Sequence, residues 1–284
     1  MPPPANPTTA RASRFPPEAT DRTRPWAVVP VKAPHDAKTR LAPLLDRDKR
    51  ALLVEHMLGD VLEALAGSAR IAGILVVTPD ERVARLAERL GAEVLDEEQR
   101  IGLGPVDEVD EIGQINQVNR AIVQARDHLC RKGAARMLVI AGDLPLLSPA
   151  AVDRLVARAP ASGPSVVIAS NTDRTGTNAL LCSPPGVIEP SFGPGSFDRH
   201  AAAAREAGAG LATIALPELE LDLDEPADVE ALLRRTRRTR RTRRTGRTEG
   251  ADSFADGGCR TIRYLIELGA AERLIPPQRA AEER

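Results

Sequence analysis

The stretch that decides the fold is Trp26–Pro43, WAVVPVKAPHDAKTRLAP. Its first part, Ala27-Val28-Val29-Pro30-Val31, is short, apolar and rich in β-branched side chains, the pattern of a buried strand. Lys32, Lys38 and Arg40 follow, in a segment punctuated by Pro34, Asp36 and Pro43 that reads as a loop. A first strand feeding a cationic loop suits an α/β sheet that holds a triphosphate, because ligands sit beyond the carboxyl ends of such strands. The loop matches neither the P-loop nor the dinucleotide fingerprint. A solvated basic loop is the plainer reading of these residues alone. The rest of the chain reverses it.

Downstream, Arg47–Leu65 has the spacing of an amphipathic helix, with Leu52, Leu53, His56, Met57, Val61 and Leu62 near one face. On that face His56 reads as a core histidine rather than a catalytic one. Ile71–Thr78 is a second strand, Asp80–Leu90 a helix closed by Gly91, and Ala92–Leu95 a third strand. Alternation at this spacing predicts a right-handed parallel α/β unit. Residues 96–119 break the rhythm and read as a mobile loop over a site, followed by a helix from Ile115 to Leu129. At its start Gln114, Asn116 and Asn119 could present amides to a base or ribose; ordinary N-terminal capping by Asn116 is the other reading.

The strongest acidic signal is Arg136–Leu147, RMLVIAGDLPLL, an apolar strand ending in Gly142-Asp143. A carboxylate at the tip of a buried strand is costly unless a cation or donors satisfy it. Ser148 already supplies the cap for the next helix, which leaves Asp143 for magnesium beside a phosphate. Ser165–Ala169 is another strand, leading through DRTGTNAL (173–180) into a further one. Ser191–Phe197, SFGPGSF, then offers glycine-flanked amides and a hydroxyl ahead of a helix around Asp198–Ala207, an anion-binding pattern. Leu211–Leu216 and Leu219–Leu223 read as strands. Asp222 and Asp224 lie two apart in LDLDEP at the end of the second, so an extended chain puts both carboxylates on one face, within reach of one ion. Ala227–Leu233 begins a closing helix.

At 284 residues the chain holds more than this domain needs. Residues 1–24 are rich in Pro, Thr and Arg without an apolar core, and read as a disordered lead-in rather than a signal peptide. That leaves one domain over 25–233. Arg234–Arg247, RRTRRTRRTRRTGR, carries nine arginines and no acid, which offset an acidic excess elsewhere in a chain of formal net charge −1. As part of a linker over 234–258, this tract reads as solvated low complexity. A grip on nucleic-acid phosphates is the other reading, although no aromatic interleaves to stack a base. Residues 259–284 hold a short helical pattern that either docks on the domain or pairs two chains as a homodimer. Cys130, Cys182 and Cys259 form no metal spacing. No apolar run approaches a membrane span, and a cytoplasmic location is expected.

Taken together, VVPVK with KTRLAP in Val28–Pro43, AGDLPLL in Ala141–Leu147, DRTGTNALL in Asp173–Leu181, SFGPGSFDRH in Ser191–His200 and LDLDEPADV in Leu221–Val229 resemble the 2-phospho-L-lactate guanylyltransferase family. The resemblance implies a single-domain α/β nucleotidyltransferase of the GT-A type, with a mostly parallel, mixed sheet flanked by helices. It implies transfer of a guanylyl group from GTP to 2-phospho-L-lactate, phosphoenolpyruvate or 3-phospho-D-glycerate in coenzyme F-420 assembly. By motif matching, Asp143, Asp222 and Asp224 would hold Mg2+, and Thr177, Gly193 and Ser196 would hold the acceptor. Lys32, Lys38 and Arg40 are the candidates for gripping the triphosphate, with Asn116 as a further nucleotide contact. The chain departs from the family where Gly113–Asn119 reads GQINQVN in place of a GLNxA-like segment. A same-fold enzyme acting on a sugar phosphate or a molybdopterin is the near alternative, and a nucleic-acid-binding protein acting through the arginine tract the distant one. Because the tail lies beyond the last matched motif, it is expected to be dispensable for transfer.

Overall fold

The computed structural model describes residues 23–96, 111–160, 162–244 and 259–274. The proposed lead-in, the loop before residue 111 and the end of the arginine tract fall largely outside them. A seven-stranded sheet has the order β3-β2-β1-β4-β6-β5-β7. Its strands are β1 Trp26–Pro30, β2 Gly73–Thr78, β3 Glu93–Asp96, β4 Met137–Ile140, β5 Ser165–Ser170, β6 Thr177–Ser183 and β7 Gly210–Ile214. β1 is parallel to β2 and β4, β2 to β3, and β5 to β7; β6 alone runs against its neighbours β4 and β5.

The chain builds β1, β2 and β3 outward in one direction, then returns to lay β4 on the other side of β1. Open α/β sheets bind ligands at such a reversal, in the crevice beyond the strand ends. The crevice here lies where β1 and β4 both end. The reversed strand β6 adds a third edge to it. Because β6 is antiparallel, its first residues sit beside the last residues of β4, and Ala141 N–H donates to Asn178 O at 2.9 Å.

Both faces of the sheet are covered, so neighbouring strand residues enter different cores. Ala27 and Val29 of β1 face one core with Leu58, Leu62 and Leu65, whereas Val28 faces the other with Ile122 and Leu129. The first face is covered by α1 Arg47–Gly67, α2 Glu81–Arg89 and α4 Pro149–Ala157. The second is covered by α3 Glu111–Arg131 and α5 Ser196–Glu206. Leu52, placed on the buried face of α1 by spacing, instead points outward at 39 % exposure.

The region after β7 differs most from expectation. Leu219–Leu223 is no strand: Pro217–Glu220 forms a short helix, α6, with Pro217 at its first turn, where a fixed φ and a missing N–H suit a helix start. The period-two alternation survives without a ladder. Leu221 and Leu223 are buried, and Asp222 and Asp224 are partly exposed. The closing helix α7 runs Pro226–Arg244, so Arg234–Arg244 continues it instead of forming a linker. Arginine is a good helix former. Val229, Leu232 and Leu233 anchor the first turns, and a Glu230–Arg234 pair at 2.6 Å adds i,i+4 support.

Beyond the tract, α8 Arg260–Glu267 folds back onto α1, and α9 Ala270–Leu274 packs against α7 and α8. Asp60, buried on α1, accepts from Arg260 N–H at 2.8 Å, Thr261 N–H at 3.0 Å, Thr261 Oγ1–H at 2.6 Å and Cys259 Sγ–H at 3.1 Å. A carboxylate at a helix N-terminus satisfies otherwise orphaned donors. Residues 259–274 therefore dock on the domain, which extends beyond Leu233. His56 lies against the Tyr264 ring with centroids 4.6 Å apart, and so packs between α1 and α8.

Candidate active site

The loop after β1 is two single 3-10 turns, Pro34–Asp36 and Thr39–Leu41, separated by Ala37 and Lys38. Lys38 has φ 57°, a left-handed conformation that a non-glycine residue holds only where its surroundings insist. Leu41 and Leu45, both buried, pin the loop from below. The conformation delivers Lys38 Nζ to 2.5 Å from both Asp143 Oδ2 and Asp224 Oδ1. Three segments from opposite ends of the sequence thus converge at the β1/β4 crevice. Leu223 N–H donates to Asp143 O at 3.2 Å and holds the last two of them in register.

The electrostatics follow from burial. Burial alone would push the Lys38 ammonium down, but Asp143 and Asp224, by charge and hydrogen bond, hold it above the ordinary lysine range. Burial raises Asp224, and the Lys38 charge more than reverses this, so its carboxyl sits below the usual value. Asp222 goes the other way: burial and then the Asp143 charge push it up to about 6. Asp143 Oδ1 is buried and has no hydrogen-bond partner among the described residues. A buried carboxylate oxygen left over beside a raised carboxyl is an anionic corner that Lys38 only partly neutralises.

Among the described residues no three His, Cys, Asp or Glu side chains close around a point as a metal cage. Magnesium does not need one, since it uses one or two carboxylates and completes its shell with water and phosphate oxygens. The donor chemistry of Asp143 and Asp224, with the unsatisfied Asp143 Oδ1, fits that ion.

The other cationic candidates flank this cluster. Arg40 reaches Glu225 Oε1 at 3.4 Å, next to Asp224 in sequence, with both side chains exposed. Lys32 lies half-buried just past β1, where Val31 N–H prolongs the ladder to Val77 O.

Thr177, Gly193 and Ser196 are gathered into a second wall by His200, which contacts Thr177 and Ser191, and by the turn in which Ser196 N–H donates to Gly193 O at 3.0 Å. Thr177 opens β6 beside the β4 end, and Ser196 opens α5. Gly193 has φ 112°, and a Cβ there would meet Ile115 of α3 at 3.0 Å, so the turn admits only glycine without displacement. Asn119 secures this turn: its Oδ1 accepts from Phe192 N–H at 2.8 Å and its Nδ2 donates to Phe192 O at 3.3 Å. Asn119 is therefore spent on backbone. Asn116 is exposed inside α3 and is not its N-cap, because the helix begins at Glu111. Ser148, by contrast, caps α4 as its position predicts, accepting from Ala151 N–H at 3.1 Å.

Sequence reasoning missed three residues that organise this wall. Arg199 clamps the turn through Ser191 Oγ at 2.7 Å, Pro194 O at 2.5 Å and Ser191 O at 2.9 Å. His200, wholly buried, touches Thr177 and Ser191. Asn178 Nδ2 donates to Leu219 O at 2.9 Å and fastens α6 to β6. The polar DRH ending of SFGPGSFDRH on a helix face was the available signal for the first two.

Known proteins resemble this chain at every level. The family model "Guanylyl transferase CofC like" matches residues 26–243. A phosphoenolpyruvate guanylyltransferase of Rubrobacter xylanophilus is 41% identical over 207 residues, covering 73% of this chain and 92% of its own. One of Sphaerobacter thermophilus is 37% identical over 206 residues, covering 72% and 91%. In fold, a crystal structure from Desulfovibrio desulfuricans G20 assigned to the nucleotide-diphospho-sugar transferases has a TM-score of 0.62 at 17% identity, covering 87% of this chain and 96% of that one. A nucleotidyl transferase from Methanothermobacter thermautotrophicus gives 0.50 at 18%, covering 76% and 99%. Among the described residues no helix is long and apolar enough to cross a membrane. The chain belongs to the CofC-like guanylyl transferase family and is a nucleotidyltransferase.

Proposed function

We propose that this enzyme transfers the guanylyl group of GTP to phosphoenolpyruvate, releasing pyrophosphate, as a step toward coenzyme F-420. The observation that carries this is the Lys38 clasp on Asp143 and Asp224, beside the Thr177 wall, in a chain whose relatives are named for that acceptor. The acceptor phosphate has a second pKa of about 6 and is mostly dianionic near neutrality. It needs no protein base to attack the α-phosphate.

The chain's task is to hold two anions in line. Lys38 and Arg40, with Lys32 behind them, supply positive charge to the nucleotide side. Thr177 and Ser196, with the backbone at Gly193, supply neutral donors to the acceptor side. Asp143 and Asp224 would hold magnesium, with Asp222 beside them, and the ion when bound would neutralise charge on the phosphates and the leaving pyrophosphate. Lys38 releases one or both carboxylates as the phosphates arrive.

The test is direct. The full chain is incubated with GTP, magnesium and, separately, phosphoenolpyruvate, 2-phospho-L-lactate and 3-phospho-D-glycerate, and products are weighed by mass spectrometry. A guanylyl adduct of phosphoenolpyruvate with matching pyrophosphate is expected. An adduct with another of the three alone would overturn the acceptor, and no adduct with any would overturn the activity.

A further inference from the structure

His200 lies on α5 one turn after Ser196, and its ring is fully enclosed. Nε2 is 2.9 Å from Ser191 N, and Nδ1 is 3.0 Å from Thr177 Oγ1. The Phe192 ring meets it edge to face, with centroids 4.9 Å apart. The backbone N–H of Ser191 is always a donor. Nε2 must therefore be a bare acceptor, since a proton there would set two donors against each other. In a neutral imidazole the one proton then sits on Nδ1.

That fixes the next link. Nδ1–H donates to Thr177 Oγ1, so the threonine hydroxyl is an acceptor toward His200. Its own hydrogen has no other acceptor among the described residues. A threonine hydroxyl normally rotates to suit its neighbours; this one has a lone pair spoken for and a proton left to give. The order Ser191 N–H to His200, His200 N–H to Thr177, Thr177 O–H onward runs one way.

We infer that His200 is a positioning residue that presets the Thr177 hydroxyl as a hydrogen-bond donor to an anionic oxygen of the acceptor. This rests on the reading that Thr177 contacts the acceptor. It deepens that reading by assigning the sense of the bond: the wall selects an acceptor that offers a lone pair at Thr177, a carboxylate or phosphate oxygen, over one that offers a hydroxyl proton. Burial, then the neighbouring Arg199 charge, holds His200 down to about 4, so the relay keeps this polarity across the neutral range. A preset donor also has less freedom to lose when the acceptor binds.

Two substitutions separate this role from packing. Asn at 200 is shorter but its Nδ2 stands where Nδ1–H stood, so it keeps the bond to Thr177 and loses Ser191. Gln fills more of the space, and its amide reaches the Nε2 position instead. We expect His200→Asn to keep the KM for phosphoenolpyruvate within ~3-fold of wild type, and His200→Gln to raise it ~10-fold, with the KM for GTP unchanged in both. A merely structural role predicts the reverse order, because the smaller residue leaves the larger cavity, and that order would overturn the inference. Long-range 1H–15N spectra of the full wild-type chain give a second reading that does not depend on variant folding. Nδ1 protonated and Nε2 bare at neutral pH supports the relay; a proton on Nε2 sinks it. Thr177→Val separates the two layers. If it leaves the acceptor KM unchanged, the acceptor assignment itself is wrong. If it raises that KM while His200→Gln does not, only the role of His200 is wrong.

Discussion

Lys38 Nζ lies 2.5 Å from Asp224 Oδ1, across 186 residues of sequence, and ties the loop after β1 to the segment that precedes α7. The same ammonium is 2.5 Å from Asp143 Oδ2, so one cation separates two carboxylates. Breaking a buried pair from one side costs about 3–5 kcal/mol. Asp224 is 46% exposed, and solvent takes up part of that loss. Lys38→Met is expected to cost about 1–2 kcal/mol in urea unfolding, and at least ~100-fold in turnover, about 2.7 kcal/mol of transition-state stabilisation. Wild-type stability in this variant would show that the clasp is not structural.

The magnesium proposal yields a stability test that needs no substrate. An ion that binds only the folded protein stabilises it by mass action. In Lys38→Met the carboxylates of Asp143 and Asp224 face each other without the ammonium, so magnesium should raise the Tm of the variant more than that of wild type. EDTA should reverse the gain, and Asp143→Asn should abolish it. Equal shifts in wild type and variant would place the ion elsewhere.

Arg40 is a cleaner probe of the nucleotide side. Its contact with Glu225 is long at 3.4 Å and exposed, and such pairs contribute about 0–1 kcal/mol. Arg40→Ala should therefore leave the unfolding midpoint within error while lowering kcat/KM for GTP at least ~10-fold. Arg40→Lys should recover part of this, since it keeps the charge and loses the planar fork. A stability loss matching the kinetic loss would reassign Arg40 to the fold.

How much was legible depended on where each signal lay. β1, β2 and β4 announce themselves because strands buried on both faces read as continuous apolar runs. Lys38, Asp143 and Asp224 stand at the ends of motifs, so their chemistry is visible one by one. Their contact is not, because nothing local says that Lys38 turns left-handed and points at carboxylates rather than at solvent. The LDLD segment kept its alternation but lost its ladder: Leu221 and Leu223 are held by helices, and periodicity does not distinguish a helix-facing edge from a strand. Asn119 was visible but its role was not, and His200 showed only within the polar DRH ending. Each serves a backbone group, 73 and 9 residues away, and such a partner leaves no local pattern.

The tail was expected to be dispensable, and the structure argues otherwise for its last part. Leu41 and Leu45 beneath Lys38, Leu146 after Asp143, and Leu221 and Leu223 around Asp222 share one cluster with Cys259, Ile262 and Leu265. The C-terminal helices thus share a core with the segments that carry Lys38, Asp143 and Asp222. Cys259 Sγ also lies 3.4 Å from Pro145 O, two residues from Asp143. Ending the chain at residue 258 should lower the Tm and cost activity beyond what unfolding explains. Ile262→Ala alone should cost about 2–4 kcal/mol, the range for a buried large-to-small change. A chain cut at 258 that keeps full stability and turnover would remove these helices from the site.

His200 predicts a specific acid sensitivity. A free imidazole titrates near 6.5, and burial with the Arg199 charge holds His200 to about 4 in the folded chain. Between these values the unfolded chain carries a proton that the folded chain refuses. The contribution to stability is therefore full above about pH 6.5 and is lost as pH falls through the window, reaching about 3 kcal/mol near pH 4. Among the described residues the groups that act on the ring are the Ser191 N–H, the Thr177 hydroxyl, the Phe192 ring and the Arg199 charge, and no carboxylate is among them to offset a proton. Asp222, raised to about 6 by burial, titrates in the same range, but it does so in wild type and variant alike. The comparison is thus between wild type and His200→Phe, which cannot titrate. Each is unfolded in urea at about pH 7.5 and about pH 4.5, conditions that bracket most of the window. Wild type should lose more stability on acidification than His200→Phe, by up to about 3 kcal/mol, even if the variant starts lower. Equal losses would mean that His200 accepts a proton in the folded chain as readily as in water, and the buried ring would then be charged below neutrality.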